Sequence, residues 1–160
     1  MEFEILDNSV LAWGLISCGL AQLSKLLFEF IQYRKLRFSV LFETGGMPSS
    51  HSALVTGTAA GVGIEMGFDD PVFALASTIA FVVMYDASGI RREAGLTAAK
   101  VNELSSKNDQ ADEVLLKESL GHTRLQVLVG SLFGPAIALP GIVFIGSPLD
   151  LLNFFELISR

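Results

Sequence analysis

The sequence has one cysteine, two histidines and little charge. Each scarcity removes a class of protein. Cys18 alone cannot form a disulfide within the chain, and no CxxC pair is present to begin a metal site. It sits in an apolar run, where a thiol behaves as a small buried hydrophobe. Charged residues make up 18% of the chain, too few for the surface of an ordinary soluble domain. The formal net charge is −6 at pH 7, so the basic excess that a nucleic-acid partner requires is missing. The first residues, MEFEILDN, are acidic, whereas a cleavable signal peptide begins basic. The first apolar run is therefore expected to stay in the mature protein. No internal repeat or low-complexity tract divides the 160 residues, and a single domain over 1–160 is expected.

What the chain does have is apolar length. Hydrophobic residues make up 51% of it. Segments at roughly 9–32, 51–68, 71–90 and 122–147 each approach the ~20 residues needed to cross a bilayer. The expected fold is an all-α integral membrane bundle of about four transmembrane helices. Pro135 and Pro140 predict a kink or break in the last span. The second span is rich in small residues, and its pairs Gly57/Gly61 and Gly63/Gly67 have the GxxxG spacing that lets membrane helices approach closely. The polar stretch 93–120 reads as a cytoplasmic helical arm or hairpin with a turn at SSKNDQAD, and the amphipathic 148–160 as an interfacial segment.

Charge orients this bundle. Lys25, Arg34, Lys35, Arg37, Arg91, Arg92, Lys100, Lys107, Lys117 and Arg124 all fall on one face of a four-span topology, leaving only Arg160. Glu2, Glu4, Asp7, Asp69, Asp70, Asp150 and Glu156 fall on the other. The positive-inside rule makes the basic face cytoplasmic.

On that face lies GGMPSSHSA, residues 45–53, at the mouth of the second span. Helix N-termini present unpaired N–H groups and a positive dipole end, which together attract anions. Ser49 or Ser50 can cap the helix, the glycines permit a tight loop, and His51 stands at the mouth. A well-capped helix with an interfacial histidine explains this stretch equally well. The balance shifts with His122, the other histidine, which opens the last span on the same face. Arg91 and Arg92 arrive there from the third span, and Lys25 lies near the same end of the first. Lys25 could instead snorkel or pair with Glu29, and the arginines could merely orient the helices.

Pro48–His51, PSSH, resembles the PSGH signature of the type 2 phosphatidic acid phosphatase (PAP2) superfamily, which includes the vanadium haloperoxidases. GHTRLQVLVG is similar to that superfamily's third motif, in which a histidine is followed four residues later by aspartate, then valine, then glycine. Here His122, Gln126, Val127 and Gly130 take that spacing. With YDASGIRREAG at 85–95 and LGH ending at His122, about residues 10–145 resemble the divergent, small membrane branch of the superfamily, found in bacteria and chloroplast-bearing organisms.

The resemblance implies a membrane phosphatase for a lipid-linked phosphate or diphosphate, working through a phosphohistidine, with no metal and no cofactor. His122 would be the nucleophile and His51 the acid, with Gln126 at the position of the motif's aspartate. Lys25, Ser49, Ser50, Arg91 and Arg92 would surround the phosphate. Arg34 would stand in for an arginine normally found seven residues after the lysine, where Gln32 lies. Three features depart from the pattern: Gln126 carries no charge, Arg34 is displaced, and Arg91 and Arg92 precede His122 by about thirty residues rather than six. Glu118, Glu93 or Asp86 could supply the missing carboxylate. The usual relatives have six spans, so a homodimer could complete the bundle. Membrane lipids are the expected surroundings, in a bacterial inner membrane or a plastid membrane with the basic face cytoplasmic or stromal. The alternatives are a non-catalytic binder of phosphate or lipid headgroups that scaffolds a membrane complex, and a transporter with Lys25 and Glu29 on its path. Haloperoxidase activity fits worst, since those relatives are large and soluble.

Overall fold

A computed structural model describes residues 4–34, 37–42, 45–106 and 115–158. Their regular structure is all helical: α1 (Ser9–Tyr33), α2 (Ser50–Met66), α3 (Pro71–Ser88), α4 (Ile90–Ser106), α5 (Arg124–Phe144) and α6 (Pro148–Ile158), with 3-10 turns at Glu4–Asp7 and Phe38–Phe42. The expected turn at SSKNDQAD falls largely outside the described residues. By length and composition α1, α5 and the run Pro71–Ser106 formed by α3 and α4 are long and apolar enough to cross a membrane. α2 has 17 residues, at the short end of the spanning range. It packs among α1, α3 and α5.

α1, α2, α3 and α5 each begin where a side chain takes an orphan N–H. Asn8 accepts from Leu11 N at 2.8 Å to open α1. Asp70 accepts from Val72 N at 2.7 Å to open α3, with Pro71 in the first turn, where its missing N–H costs nothing. Ser49 and Thr123 open α2 and α5. The last of these helices starts at Arg124, so His122 lies in the loop before α5 rather than inside a span. α5 then runs unbroken through Pro135 and Pro140, so the break considered for it does not occur.

The bundle is small inside and large outside. Its buried apolar residues are mostly alanines, among them Ala21, Ala53, Ala59, Ala80 and Ala138. Leu23, Leu27, Leu75, Phe81, Leu128 and Leu132 point outward and are exposed. Water would penalise that distribution. Hydrocarbon does not, because lipid tails solvate leucine as well as a protein core does, and helices then associate through close packing.

The closest packing joins α2 to α5. A Cβ added at Gly134 would collide with the Ala53 carbonyl oxygen and stand 2.8 Å from Gly57 N. One added at Gly130 would collide with the carbonyl oxygen of Ser49. Gly130 and Gly134 form a GxxxG pair on α5 that meets Gly57 on α2. Gly61 instead receives Val10 and Ile142, Gly63 lies under the Phe68 ring, and Gly67 ends α2 at φ +103°. Ser49 N donates to Gln126 O at 3.2 Å, so the starts of α2 and α5 lie together and the two helices run parallel. α1 runs the other way: Trp13, near its start, donates from Nε1 to Gly146 O beyond the end of α5, at 2.9 Å.

Gly134→Val is expected to prevent recovery of a folded, monodisperse protein in detergent, since the obstacle is backbone and cannot rotate away. Gly19→Ala is the control. No atom outside its own helix backbone lies within 4 Å of that position, and the change should leave the melting temperature level or raise it, worth about 0.5–1 kcal/mol. Thermal melts of the two variants against the parent test this.

Candidate functional site

The parallel start of α2 and α5 sets the chemistry at one end of the bundle. The loop before α2 turns at Gly46, φ +88°, where an added Cβ would touch Lys25 Cδ at 3.7 Å. Lys25 belongs to α1, two turns before its end, and is only 2% exposed. Pro48 and Ser49 are fully buried. Ser49 Oγ accepts from Ser52 N at 3.3 Å and from Ser52 Oγ at 2.9 Å, which commits that hydroxyl to capping. Ser50, also buried, opens α2, and His51 follows it with an exposed ring.

His122 arrives from the opposite side. Its backbone N donates to Ala87 O at 2.9 Å, tying the loop to the last turn of α3. Gly121, φ +74°, makes that approach possible: a side chain there would meet Arg92 Cα at 2.7 Å and Arg91 C at 2.8 Å. The His122 ring is 3% exposed, and neither ring nitrogen has a hydrogen-bond partner among the described residues. His51, Ala87, Arg91, Leu120, Gly121 and His122 line a cavity of about 50 Å³. One water needs roughly 10–15 Å³ by the same kind of measure, so the space suits a small polar ligand.

The expected residues are only partly gathered here. His51, His122 and Arg91 line the cavity, while Lys25 and Ser50 lie buried at the mouth of α2. Arg91 Nε also bonds Asp86 Oδ2 at 2.5 Å. Arg92 contributes backbone under Gly121 and does not line the cavity. Arg34 caps the C-terminus of α1 in a left-handed conformation, φ 55°, exposed and about 13 Å of helix rise beyond Lys25. Gln126 closes a capping box: its Oε1 accepts from Thr123 N at 2.9 Å, and its N donates to Thr123 Oγ1 at 3.2 Å. Glu118 receives a hydrogen bond from Asn102 at 2.8 Å, and Glu93 is exposed in the first turn of α4. Sequence reasoning read the tight loop at Gly46 but missed Ala87 and Gly121, which receive the loop that carries His122. The glycine directly before His122 was the available signal for Gly121, and nothing local marks Ala87.

His122 lies outside the spanning helices, and burial pushes its imidazolium down to about 4. The charge of Lys25 lowers it further, Gln126 opposes that, and smaller effects come from His51 and the Gly46 backbone. The ring is therefore neutral at pH 7, with a lone pair to offer. Among the described residues no three of His, Cys, Asp and Glu converge to hold a metal ion.

Unfolded, a histidine takes its proton near pH 6.5, but this ring stays neutral to about 4 in the fold. Between those values the unfolded chain binds the extra proton, so stability falls as pH drops from 6.5 toward 4 and the contribution is complete above 6.5. The melting temperature in detergent should decline over that window, and His122→Asn should flatten the decline. An equal decline in the variant would place the titrating group elsewhere.

The family described as the Divergent PAP2 family matches residues 6–137. The chain is 38% identical over 150 residues to the uncharacterized membrane protein YuiD of Bacillus subtilis (strain 168), covering 85% of this chain and 95% of that protein. No solved structure matches it. Small-residue packing, apolar helices and the paired histidine motifs thus coincide with a match over most of the sequence: this is a membrane protein, and it belongs to the Divergent PAP2 family.

Proposed function

We propose that the protein is a membrane phosphatase acting on a lipid-linked phosphomonoester or diphosphate through a phosphohistidine. The observation that carries this reading is the meeting of His51, His122 and Arg91 around one small cavity, with Lys25 buried nearby and the N-terminus of α2 at its edge. In the first step a lone pair of neutral His122 attacks phosphorus and the bond from phosphorus to the leaving oxygen breaks. That oxygen takes a proton from the His51 imidazolium. Water then attacks the phosphohistidine, the P–N bond breaks, and His51 recovers the proton from the water. Arg91, Lys25 and the first N–H groups of α2 hold the phosphoryl oxygens as charge builds on them.

A lipid-linked substrate is favoured by a second feature. A groove of about 300 Å³ runs between α3 and α5, lined by Phe81, Met84, Tyr85, Val127 and Leu128, with Arg124 and Ser88 at its polar end. Ala87 and His122, on the cavity, are near chain neighbours of Ser88 and Arg124, on the groove. A single acyl or prenyl chain fits the groove's chemistry, with its phosphate drawn to the basic end. By the positive-inside rule that end faces the cytoplasm, or the stroma in a plastid.

The second reading is a headgroup binder that does not turn over, in a dimer or a larger membrane complex. Gln126 favours it, because its carbonyl is committed to the α5 cap and carries no charge to steady a positive His122 ring.

Purified protein is expected to release inorganic phosphate from a short-chain lipid phosphate without added metal. His122→Ala should abolish release, and His51→Ala should slow it by roughly 10²–10⁴-fold. Full activity in His122→Ala would remove the nucleophile assignment. If the parent binds the lipid phosphate but releases nothing, Gln126→Asp separates the readings: new turnover marks an enzyme lacking its carboxylate, and continued binding without turnover marks a binder.

A further inference from the structure

Within the polar arm, the segment 115–121 lies back on α4, and Asn102 bonds it there. α4 presents Gly95, Ala98 and Asn102 as a buried stripe one helical face wide. The segment 115–121 returns along that stripe without regular structure of its own. Such a segment needs outside partners for its backbone. Asn102 supplies them: Leu116 N donates to Asn102 Oδ1 at 2.9 Å, and Asn102 Nδ2 donates to Leu116 O and to Glu118 Oε1, both at 2.8 Å. The amide thereby uses its acceptor and both donors, and this pattern fixes which way it faces.

The contacts continue toward the site. At Gly95 an added Cβ would stand 2.6 Å from Glu118 O and 3.0 Å from Leu120 O, so the chain lies directly on the helix backbone. Gly121 crosses the Arg91–Arg92 backbone, and His122 N reaches Ala87 O. Leu120 and Gly121 then form cavity wall beside His122. Asn102 is the side chain of α4 that pins this return by hydrogen bonds at its far end. The glycine contacts tolerate sliding, whereas a bidentate amide on one residue does not.

We propose that Asn102 is a positioning residue for His122: by clasping Leu116 and Glu118 it sets the register in which residues 115–121 return, and hence the depth at which the His122 ring enters the cavity. Its catalytic consequence rests on the role proposed above for His122, but the placement does not. The clasp also explains why Glu118 does not serve His122 as a carboxylate partner, since Asn102 holds it.

The test reads placement without needing turnover. Diethyl pyrocarbonate acylates accessible neutral imidazoles, and peptide mass spectrometry of the full chain in detergent at pH 7 follows both histidines. In the parent, exposed His51 should react and buried His122 should be protected. Asn102→Ala removes three hydrogen bonds and should raise the His122 rate roughly tenfold or more, with His51 unchanged. Unchanged His122 protection in a folded Asn102→Ala protein overturns the proposal, even if its melting temperature falls.

Should that variant not fold, Asn102→Asp keeps the acceptor for Leu116 N and loses both donations, while adding Glu118→Gln restores a donor to the new carboxylate. His122 labelling should rise in the single variant and drop back in the double. Equal labelling in the two overturns the proposal. Where phosphate release is measurable, Asn102→Ala should lower kcat with KM little changed. If the parent releases no phosphate, the phosphatase reading fails while the labelling result still decides the clasp.

Discussion

Backbone contact between α2 and α5 is the constraint from which the rest of the structure follows. At Gly57, Gly130 and Gly134 the two helices approach main chain to main chain. In hydrocarbon, burial of large apolar groups gives little net drive for helices to associate, and tight packing takes its place. The seam also fixes direction and level. α2 and α5 run parallel and begin side by side, with Ser49 N bonded to Gln126 O. Two helix N-termini therefore share one end of the bundle, which brings together His51 in the first turn of α2 and His122 in the loop before α5.

That end concentrates positive potential. Two dipole ends, buried Lys25, and Arg91 on the cavity wall all act in the same direction. Burial and Lys25 keep the His122 ring neutral. Exposed His51, in the first turn of α2, lines the same cavity. The two rings thus differ in exposure, His122 being buried and His51 open to solvent.

The carboxylates near the site are already engaged. Asp86 is bonded to Arg91 and Glu118 to Asn102, while Gln126 closes the α5 capping box with Thr123. Gln126 is thus explained by local helix physics: position N3 after a threonine cap favours a side chain long enough to reach back to the cap's N–H. Aspartate is one methylene shorter than the Glu or Gln this box employs. Gln126, one of the three departures from the pattern this sequence resembles, also closes the cap of α5, four residues after His122.

Much of this was legible in the primary structure. Apolar runs of bilayer length and the small-residue composition of α2 are local or periodic properties, and they specify a helical membrane bundle without reference to contacts. The cap of α2, read at Ser49 or Ser50, is local too. What only the tertiary structure decided is which residues of distant segments share a level. Spacing along the chain brings Arg34 as close to Lys25 as Arg91 is remote, yet a rigid α1 carries Arg34 away while the α3–α4 junction carries Arg91 to the cavity. The pairing of Gly134 with Gly57, the engagement of Glu118 by Asn102 and the burial of His122 depend in the same way on side chains brought together by packing. Interactions between residues far apart in sequence are set by the summed geometry of several helices, and no single stretch of sequence contains that sum.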